Sequence, residues 1–332
     1  MHKFIPLVVL SFIAVLTVSL PVLAHHTQGQ GTQNQSFNNW LVQMRSKAAA
    51  AGISQATINA NLYNITPSET AIRLDKKQPE NKKTFAQYKT AVVNENRVKK
   101  GRRLIQQHYT TLQEVENKYG VPKQFIVALW GIETNFGSNT GGFSVVTALA
   151  TMAWEGRRET FFTKELINAL KIIDAGHIKG ANMKGSWAGA MGQNQFMPSS
   201  FNAYAVDGNG DGRRDIWGTK KDVFASTANY LKKEGWKTGE RWGRRVTLPA
   251  GFNPKLNDRK LKKPLSYWAS LGVRKHGGAP LPQDNILASI VAPDGIRGEA
   301  YIVYNNYQTI MHWNRSIYFA TSVGLLADRL VQ

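Results

Sequence analysis

The clearest pattern in the chain is a set of apolar positions at helical spacing, interrupted by one acid. In the stretch from Val121 to Gly137, VPKQFIVALWGIETNFG, residues Ile126, Leu129 and Trp130 lie seven, four and three positions before Glu133 and share its helical face. Pro122 suits the first turn of that helix and Gly137 its end. Helical patterning also runs from Phe37 through Trp40, Leu41 and Met44 to the alanines around Ala48. It recurs from Thr84 to about Arg103, Leu104 to Tyr119, Phe161 to Ala175, Val223 to Gly235 and Ile317 to Leu330. Strand-like composition is confined to RVTLPAG (Arg245 to Gly251) and AYIVYNN (Ala300 to Asn306). Gln28 to Ser36 reads as a polar, mobile leader, and DKKQPE (Asp75 to Glu80) as a loop. There is no internal repeat and no Pro- or Ser-rich linker, so the pattern predicts one mainly α unit with small subdomains and a minor β component.

Glu133 carries the first candidate chemistry. An ionised carboxylate on an apolar helix face loses hydration, which raises its pKa and favours the protonated form. A proton-bearing glutamate at neutral pH is what protonation of a glycosidic oxygen requires. A Glu paired with a buried Arg or Lys fits the helix pattern equally well.

Two further segments stand out. GSWAGAMGQNQFMPSSF (Gly185 to Phe201) interleaves small residues, which admit close backbone approach, with Ser186, Gln193, Gln195 and apolar Met191, Phe196 and Met197. Apolar surface with a few directed polar groups suits a sugar ring, and a tight Gly/Ala packing segment is the plainer reading. DGNGDGRRD (Asp207 to Asp215) places Asp207, Asn209 and Asp211 at alternate positions with Gly212 at the sixth, as in an EF-hand loop. Its twelfth position is Gly218 rather than Glu, and Asp222 takes that role only in a longer loop. A metal-free Asp/Gly turn is the alternative. Asp174, Glu155, Glu159 and Glu165 are candidate second carboxylates and are more simply read as solvated helix charges. The seven histidines lack zinc-ligand spacing, and neither a phosphate-cradling Gly-rich loop nor a G-x-S-x-G elbow is present.

Composition places this chemistry outside the cytoplasm. MHKFIPLVVLSFIAVLTVSLPVLA has a short basic start, a long apolar run and small residues at Val22 and Ala24, which predicts a signal peptide cleaved after Ala24. An uncleaved anchor is the alternative; otherwise no stretch is long and apolar enough to span a bilayer. The chain has no cysteine, which excludes disulfides and a lipid-modified N-terminal Cys. Its net charge of +20 favours an anionic polymer partner. For an exported protein, peptidoglycan fits better than nucleic acid.

In order and spacing, GIETNFG, TALATMAWEGRRETFF, GSWAGAMGQNQFMPSSF, the Asp/Gly loop ending in DIW, and STANYLKKEGW resemble the lytic murein transglycosylases of the membrane-bound lytic transglycosylase B family, glycoside hydrolase family 103. The resemblance runs from about Phe37 to the C-terminus. It implies a lysozyme-like α+β catalytic core, about residues 104–245, with added helical and small β-containing subdomains in a catalytic unit spanning 37–332. It also implies Glu133 as catalytic acid, with Ser186, Gln195, Tyr230, Trp313, Asn314 and Tyr318 contacting substrate; Tyr318 and Phe319 compete for the groove-facing place. Trp313 stands where the family usually has Tyr. Asp207, Asn209, Asp211, Arg213 through its carbonyl, and Asp222 correspond to the family's calcium loop, here with one residue more before Asp222.

The implied reaction cleaves the β-1,4 bond between N-acetylmuramic acid and N-acetylglucosamine in peptidoglycan glycan strands. It forms a 1,6-anhydromuramic acid end without consuming water. No cofactor is required for this chemistry, and a calcium ion would be structural. The remaining expectations are a soluble, monomeric periplasmic protein that binds no nucleic acid and acts alongside other wall enzymes. A hydrolytic muramidase with the same groove, a non-catalytic wall-binding protein and a nucleic-acid binder are the rival readings.

Overall fold

The computed structural model describes residues 28–77 and 83–332. The signal peptide and the first three residues of the flexible leader expected over residues 25–36 lie outside them, as does the end of the 75–80 loop. Helices α1 (Gln28–Ala50), α2 (Gln55–Leu62) and α3 (Glu69–Lys76) come first, then α4 (Phe85–Val92), α5 (Glu95–Gln107), α6 (Tyr109–Tyr119) and α7 (Lys123–Thr134). Next come β1 (Phe143–Ser144), α8 (Val145–Glu155), α9 (Glu159–Asp174), β2 (Lys184–Gly185), α10 (Pro198–Tyr204) and α11 (Lys220–Lys233). The last stretch holds β3 (Gly243–Thr247), β4 (Lys263–Pro264), α12 (Leu265–Ser270), β5 (Arg274–Lys275), β6 (Leu287–Val291), β7 (Ala300–Val303), α13 (Asn305–Trp313) and α14 (Ile317–Leu330). The fold is mostly helical with two small sheets, as expected. Among the described residues, no helix is long and apolar enough to cross a membrane.

The chain divides into two compact units, one holding residues 28–77 and 133–226, the other 83–132 and 227–332. The division falls inside α7, between Ile132 and Glu133, and inside α11, between Ser226 and Thr227.

In the first unit α8 is buried on nearly every side, from Val145 through Ala153 with only Thr147 partly exposed. Phe37, Leu41 and Met44 bury the predicted stripe of α1, and the Phe37 ring meets Trp154 edge-on at 5.4 Å. That helix begins at Gln28, inside the stretch read as a mobile leader. Polar tethers fix the surrounding helices. Asp75 on α3 is buried between the guanidinium groups of Arg157 and Arg158. The Ser68 N–H, at the N-cap of α3, donates to Thr151 Oγ1 on α8 (2.9 Å). Asp174 at the end of α9 accepts from Ser54 and from Thr57 Oγ1 (2.6 Å) at the start of α2. Glu155 and Glu159 pair loosely with Lys76 and Lys47, each at 3.9 Å.

Glu165 corrects the reading of a solvated charge. It is 3% exposed and accepts from Ser199 N (2.8 Å) and Ser199 Oγ (2.6 Å), so it holds the start of α10 against α9. Helical spacing marks its face but gives no sign of a partner 34 residues away.

The second unit carries a five-stranded antiparallel sheet of order β4-β6-β7-β3-β5. Its core includes Val246, Trp268, Ile290, Ile302 and Tyr304. Trp242 is 1% exposed and donates through Nε1 to Asp328 on α14 (3.0 Å). Gly324 makes that docking close, because a Cβ there would lie 2.2 Å from the indole. The single helix expected from Thr84 to Arg103 is two helices: Thr84 and Gln87 form a capping box on α4, and Asn94 caps α5 by accepting from Arg97 N (2.9 Å). A side chain suited to capping ends one helix and starts the next.

Burial raises the Glu165 carboxyl above its ordinary value of 4.5, opposed by the Ser199 bonds. A carboxyl whose folded pKa is raised contributes stability that is fully present below the unfolded value and is lost as pH rises through the folded one. Glu165→Gln keeps an acceptor for Ser199 and has no charge to desolvate. Its stability relative to wild type is therefore expected to improve between about pH 4 and about pH 7.5. Urea midpoints of both proteins at the two pH values check this; a pH-independent difference contradicts it.

Candidate active site

The site begins with α7. Phe125 through Ile132 are all buried, Glu133 is half-buried, and Thr134 is 1% exposed. Thr134 Oγ1 donates to the Gln193 carbonyl (3.0 Å) and accepts from Gly137 N (3.0 Å), locking the helix end beside the carboxylate. Asn135, Phe136 and Gly137 then adopt φ of +50°, +62° and +80°, so the helix stops at Thr134 and the expected terminal Gly137 lies in a left-handed turn. Such a conformation costs a residue bearing a Cβ about 1–2 kcal/mol. Burial of the Phe136 ring, 6% exposed, and the Thr134 bonds hold it there.

The turn leads to β1, which pairs antiparallel with β2, and β2 runs into the second motif. Gly141 (φ +87°) is required here, because a Cβ would lie 2.2 Å from the Gly185 carbonyl oxygen. Ser186 closes a tight turn: its N–H donates to Ala190 O (2.8 Å) and its Oγ accepts from Ala190 N (3.0 Å). Met191 and Phe196 exchange both backbone hydrogen bonds (2.8 and 3.1 Å).

The amides within this run divide into two classes. Gln193 and Asn194 are 3% and 2% exposed and donate to the carbonyls of Trp217 (2.6 Å) and Val223 (2.8 Å), so they are internal struts. Gln195 is half-buried at φ +50°, and its Nε2 donates to Gly192 O (2.9 Å) and Thr140 O (3.2 Å). Strained non-glycine backbone of this kind persists where surrounding contacts over-determine it, often at functional sites. One unit thus carries a carboxylate (Glu133), a hydroxyl (Ser186) and an amide (Gln195), all partly open to solvent on backbone pinned by hydrogen bonds. Thr134, Asn194 and Thr140 are supporting residues that the sequence did not single out, and Gln193, read with Gln195 as a candidate polar group, is a buried strut.

The Asp/Gly loop lies in the same unit and is knit by its own amides. Asp207 accepts from Gly210 N (2.6 Å), Asp211 N (3.2 Å) and Gly212 N (2.7 Å), and Asp211 accepts from Arg213 N (2.9 Å). Asp222, fully buried, accepts from Gly208 N (2.8 Å) and Asp215 N (2.7 Å), which brings it beside the loop's start in place of the missing twelfth-position Glu. Burial raises its pKa, while the Asn209 side chain lowers that of Asp211. Among the described residues no group of three or more His, Cys, Asp or Glu is placed to hold a metal ion. The donors are hard oxygens suited in kind to calcium, and the loop as folded is held by hydrogen bonds.

Tyr230, Trp313, Asn314 and Tyr318 belong to the other unit. The rings of Tyr230 and Trp313 meet at 4.7 Å and 60°, with Tyr230 8% exposed and Trp313 half-buried. Asn314 ends α13, and its Oδ1 accepts from Ser316 N (3.0 Å), so it shapes the turn into α14. Tyr318 packs elsewhere, against Phe85 (5.4 Å) and Tyr88 (6.0 Å), and its hydroxyl donates to Asp294 (3.1 Å). Phe319, at 2% exposed, is a core residue, which leaves Tyr318 as the partly exposed ring of the two.

A family model described as "Transglycosylase SLT domain" matches residues 36–328. Membrane-bound lytic murein transglycosylase B of Escherichia coli K12 is 32% identical over 250 residues, which cover 74% of this chain and 66% of that protein, just under two thirds of its length. SltB3 from Pseudomonas aeruginosa, crystallised in complex with NAG-anhNAM-pentapeptide, superposes with a TM-score of 0.87 at 42% identity, covering 90% of this chain and 80% of that one. Lytic transglycosylase Slt35 of E. coli, solved in complex with calcium, gives 0.76 at 29% identity over 91% of this chain and 95% of that one. With a pinned, partly open glutamate at the end of a buried helix and a match over nearly the whole described length, the chain belongs to the family of the transglycosylase SLT domain.

Proposed function

We propose that the protein is a lytic murein transglycosylase that cleaves the β-1,4 bond between N-acetylmuramic acid and N-acetylglucosamine and leaves a 1,6-anhydromuramic acid end. The observation that carries this reading is Glu133, a half-buried carboxylate at the terminus of a buried helix, whose neighbour Thr134 is bonded to the Gln193 carbonyl. Protonated Glu133 gives its proton to the glycosidic oxygen, the C–O bond breaks, and positive charge builds at the muramic anomeric carbon. The substrate's own acetamido group stabilises that charge. Glu133, now ionised, takes the proton of the C6 hydroxyl as its oxygen closes on the anomeric carbon, so the residue ends as it began.

One carboxylate in both roles is favoured by the engagement of other acids in that unit, of which Glu155 and Glu159 pair loosely with Lys76 and Lys47. Asp75, Glu165 and Asp174 hold Arg157 and Arg158, Ser199, and Ser54 with Thr57, while Asp207, Asp211, Asp215 and Asp222 accept loop amides. Water instead of the C6 hydroxyl would make the enzyme a hydrolytic muramidase. Ser186, Gln195, Tyr230, Trp313, Asn314 and Tyr318 are each assigned to sugar contact. The role includes export to the periplasm, a soluble monomeric mature form and action on peptidoglycan alongside other wall enzymes.

Glu133→Gln, which preserves shape and removes the exchangeable proton, is expected to fold normally and to lose about 100- to 10,000-fold in turnover of purified sacculi. A variant within a few-fold of wild type overturns the assignment of Glu133.

A calcium ion at the Asp/Gly loop would be structural, with Asp207, Asn209, Asp211, the Arg213 carbonyl and Asp222 as ligands and no part in the reaction. Bound to the folded state alone, it stabilises by mass action. Excess calcium is accordingly expected to raise the Tm of wild type and to leave Asp207→Ala unmoved. Equal melting in calcium and in chelator contradicts a site there.

A further inference from the structure

The sheet-bearing unit contains a second feature, which the catalytic reading does not use. Strands β3 and β7 pair from Gly243–Val303 to Val246–Ala300, and there the ladder stops. Beyond that pair, β3 continues against β5 through Thr247 and Arg274. Thr247, Leu248, His276 and residues 296–299 line a cleft of about 500 Å³, floored by Val246 and Ala300. Its rim is cationic. Arg245, Arg297 and His276 are exposed and contribute to the lining, against a single acid, Glu299.

That acid is already neutralised. Glu299 accepts from Lys89 Nζ at 2.7 Å on both oxygens and from Tyr301 OH (2.6 Å), and its Oε1 lies 3.2 Å from Arg245. Burial would raise the Glu299 pKa, and the hydrogen bonds from Lys89 and Tyr301 with the charges of Lys89 and Arg245 hold it low instead. Arg297 then adds a further positive charge. Between residues 243 and 304 there are ten Lys and Arg against four Asp and Glu, so the whole sheet region repels cations and draws anions. A cleft of this volume takes several residues of a flexible ligand rather than a single ion, and its Val246, Leu248 and Ile296 surfaces suit aliphatic side chains.

We propose that this cleft is a subsite for the carboxylate-bearing peptide stems of peptidoglycan, with Arg297 and Arg245 as the carboxylate-binding residues. The assignment rests on the wall-polymer reading above. Arginine suits it because its planar fork matches a carboxylate, and the Glu299 contact engages only one edge of the Arg245 guanidinium. Binding the stems would select peptide-substituted strands over bare glycan.

The test is titration of the purified protein with a synthetic stem pentapeptide bearing free carboxylates, followed calorimetrically. Turnover of intact sacculi and of glycan strands stripped of peptide is measured alongside. Wild type is expected to bind the peptide. Arg297→Gln is expected to weaken binding about tenfold, the loss of one charge-assisted hydrogen bond, and Arg297→Lys to retain most of it. On sacculi Arg297→Gln should turn over more slowly, and on stripped strands it should match wild type. Absence of peptide binding by wild type, equal binding by Arg297→Gln, or binding of inorganic phosphate without the peptide overturns the proposal. Turnover of stripped strands by wild type is independent of this outcome, so a failed stem subsite leaves the transglycosylase reading standing, and a failed transglycosylase reading shows itself there.

Discussion

Under the proposed mechanism Glu133 changes protonation state, which requires a carboxylate that is partly dry, rigid and still reachable, and the structure around it is consistent with that demand. An apolar helix meets the first two requirements by burying Phe125 through Ile132. Reach is obtained by stopping the helix at once: Thr134 turns inward to the Gln193 carbonyl, and three left-handed residues carry the chain away. Without that abrupt stop the next turn of helix would cover the carboxylate or shift it. The backbone strain of Asn135 and Phe136 is thus the cost of an open acid on a buried helix.

The Gly/Ala-rich turns are the counterpart of that stop. Gly141 meets Gly185 at a separation no side chain tolerates, and the β1–β2 pairing fixes the approach. Gln193 and Asn194 then tie the turn inward to the carbonyls of Trp217 and Val223, on the segment that Asp222 and Asp215 organise. The Asp/Gly loop therefore bears on the site through backbone, without touching the reaction. A calcium ion there would stiffen a support; it would not supply a Lewis acid.

Much of this was legible from residue pattern, and the exceptions share a cause. Helix α14 spans Ile317–Leu330 as read, and α7 starts after Pro122 as read, because helical periodicity and proline are local signals. Strand β6 escaped notice because Ala288 to Val291 are all buried, which removes the alternation that marks a half-exposed strand. Asn305 and Asn306, read as the end of a strand, begin α13 instead: Asn306 is wholly buried, accepting from Lys237 N (2.7 Å) and donating to the carbonyls of Lys237 (2.9 Å) and Glu240 (2.7 Å). In the site, composition marked the whole Gly185–Phe201 run but could not separate Gln193 from Gln195, nor Tyr318 from Phe319. Glu165 and Ser199 were invisible for the same reason. A partner far along the chain is decided by tertiary packing, and spacing carries no record of it.

The central claim is that one carboxylate serves as acid and then as base, with the substrate's own hydroxyl in place of water. Mass spectrometry of the soluble products released from purified peptidoglycan by the mature protein tests it most directly. The account predicts muropeptides one water lighter than their reducing counterparts, ending in 1,6-anhydromuramic acid. Products with reducing ends would contradict it, because water would then be the acceptor and a second catalytic base would have to exist.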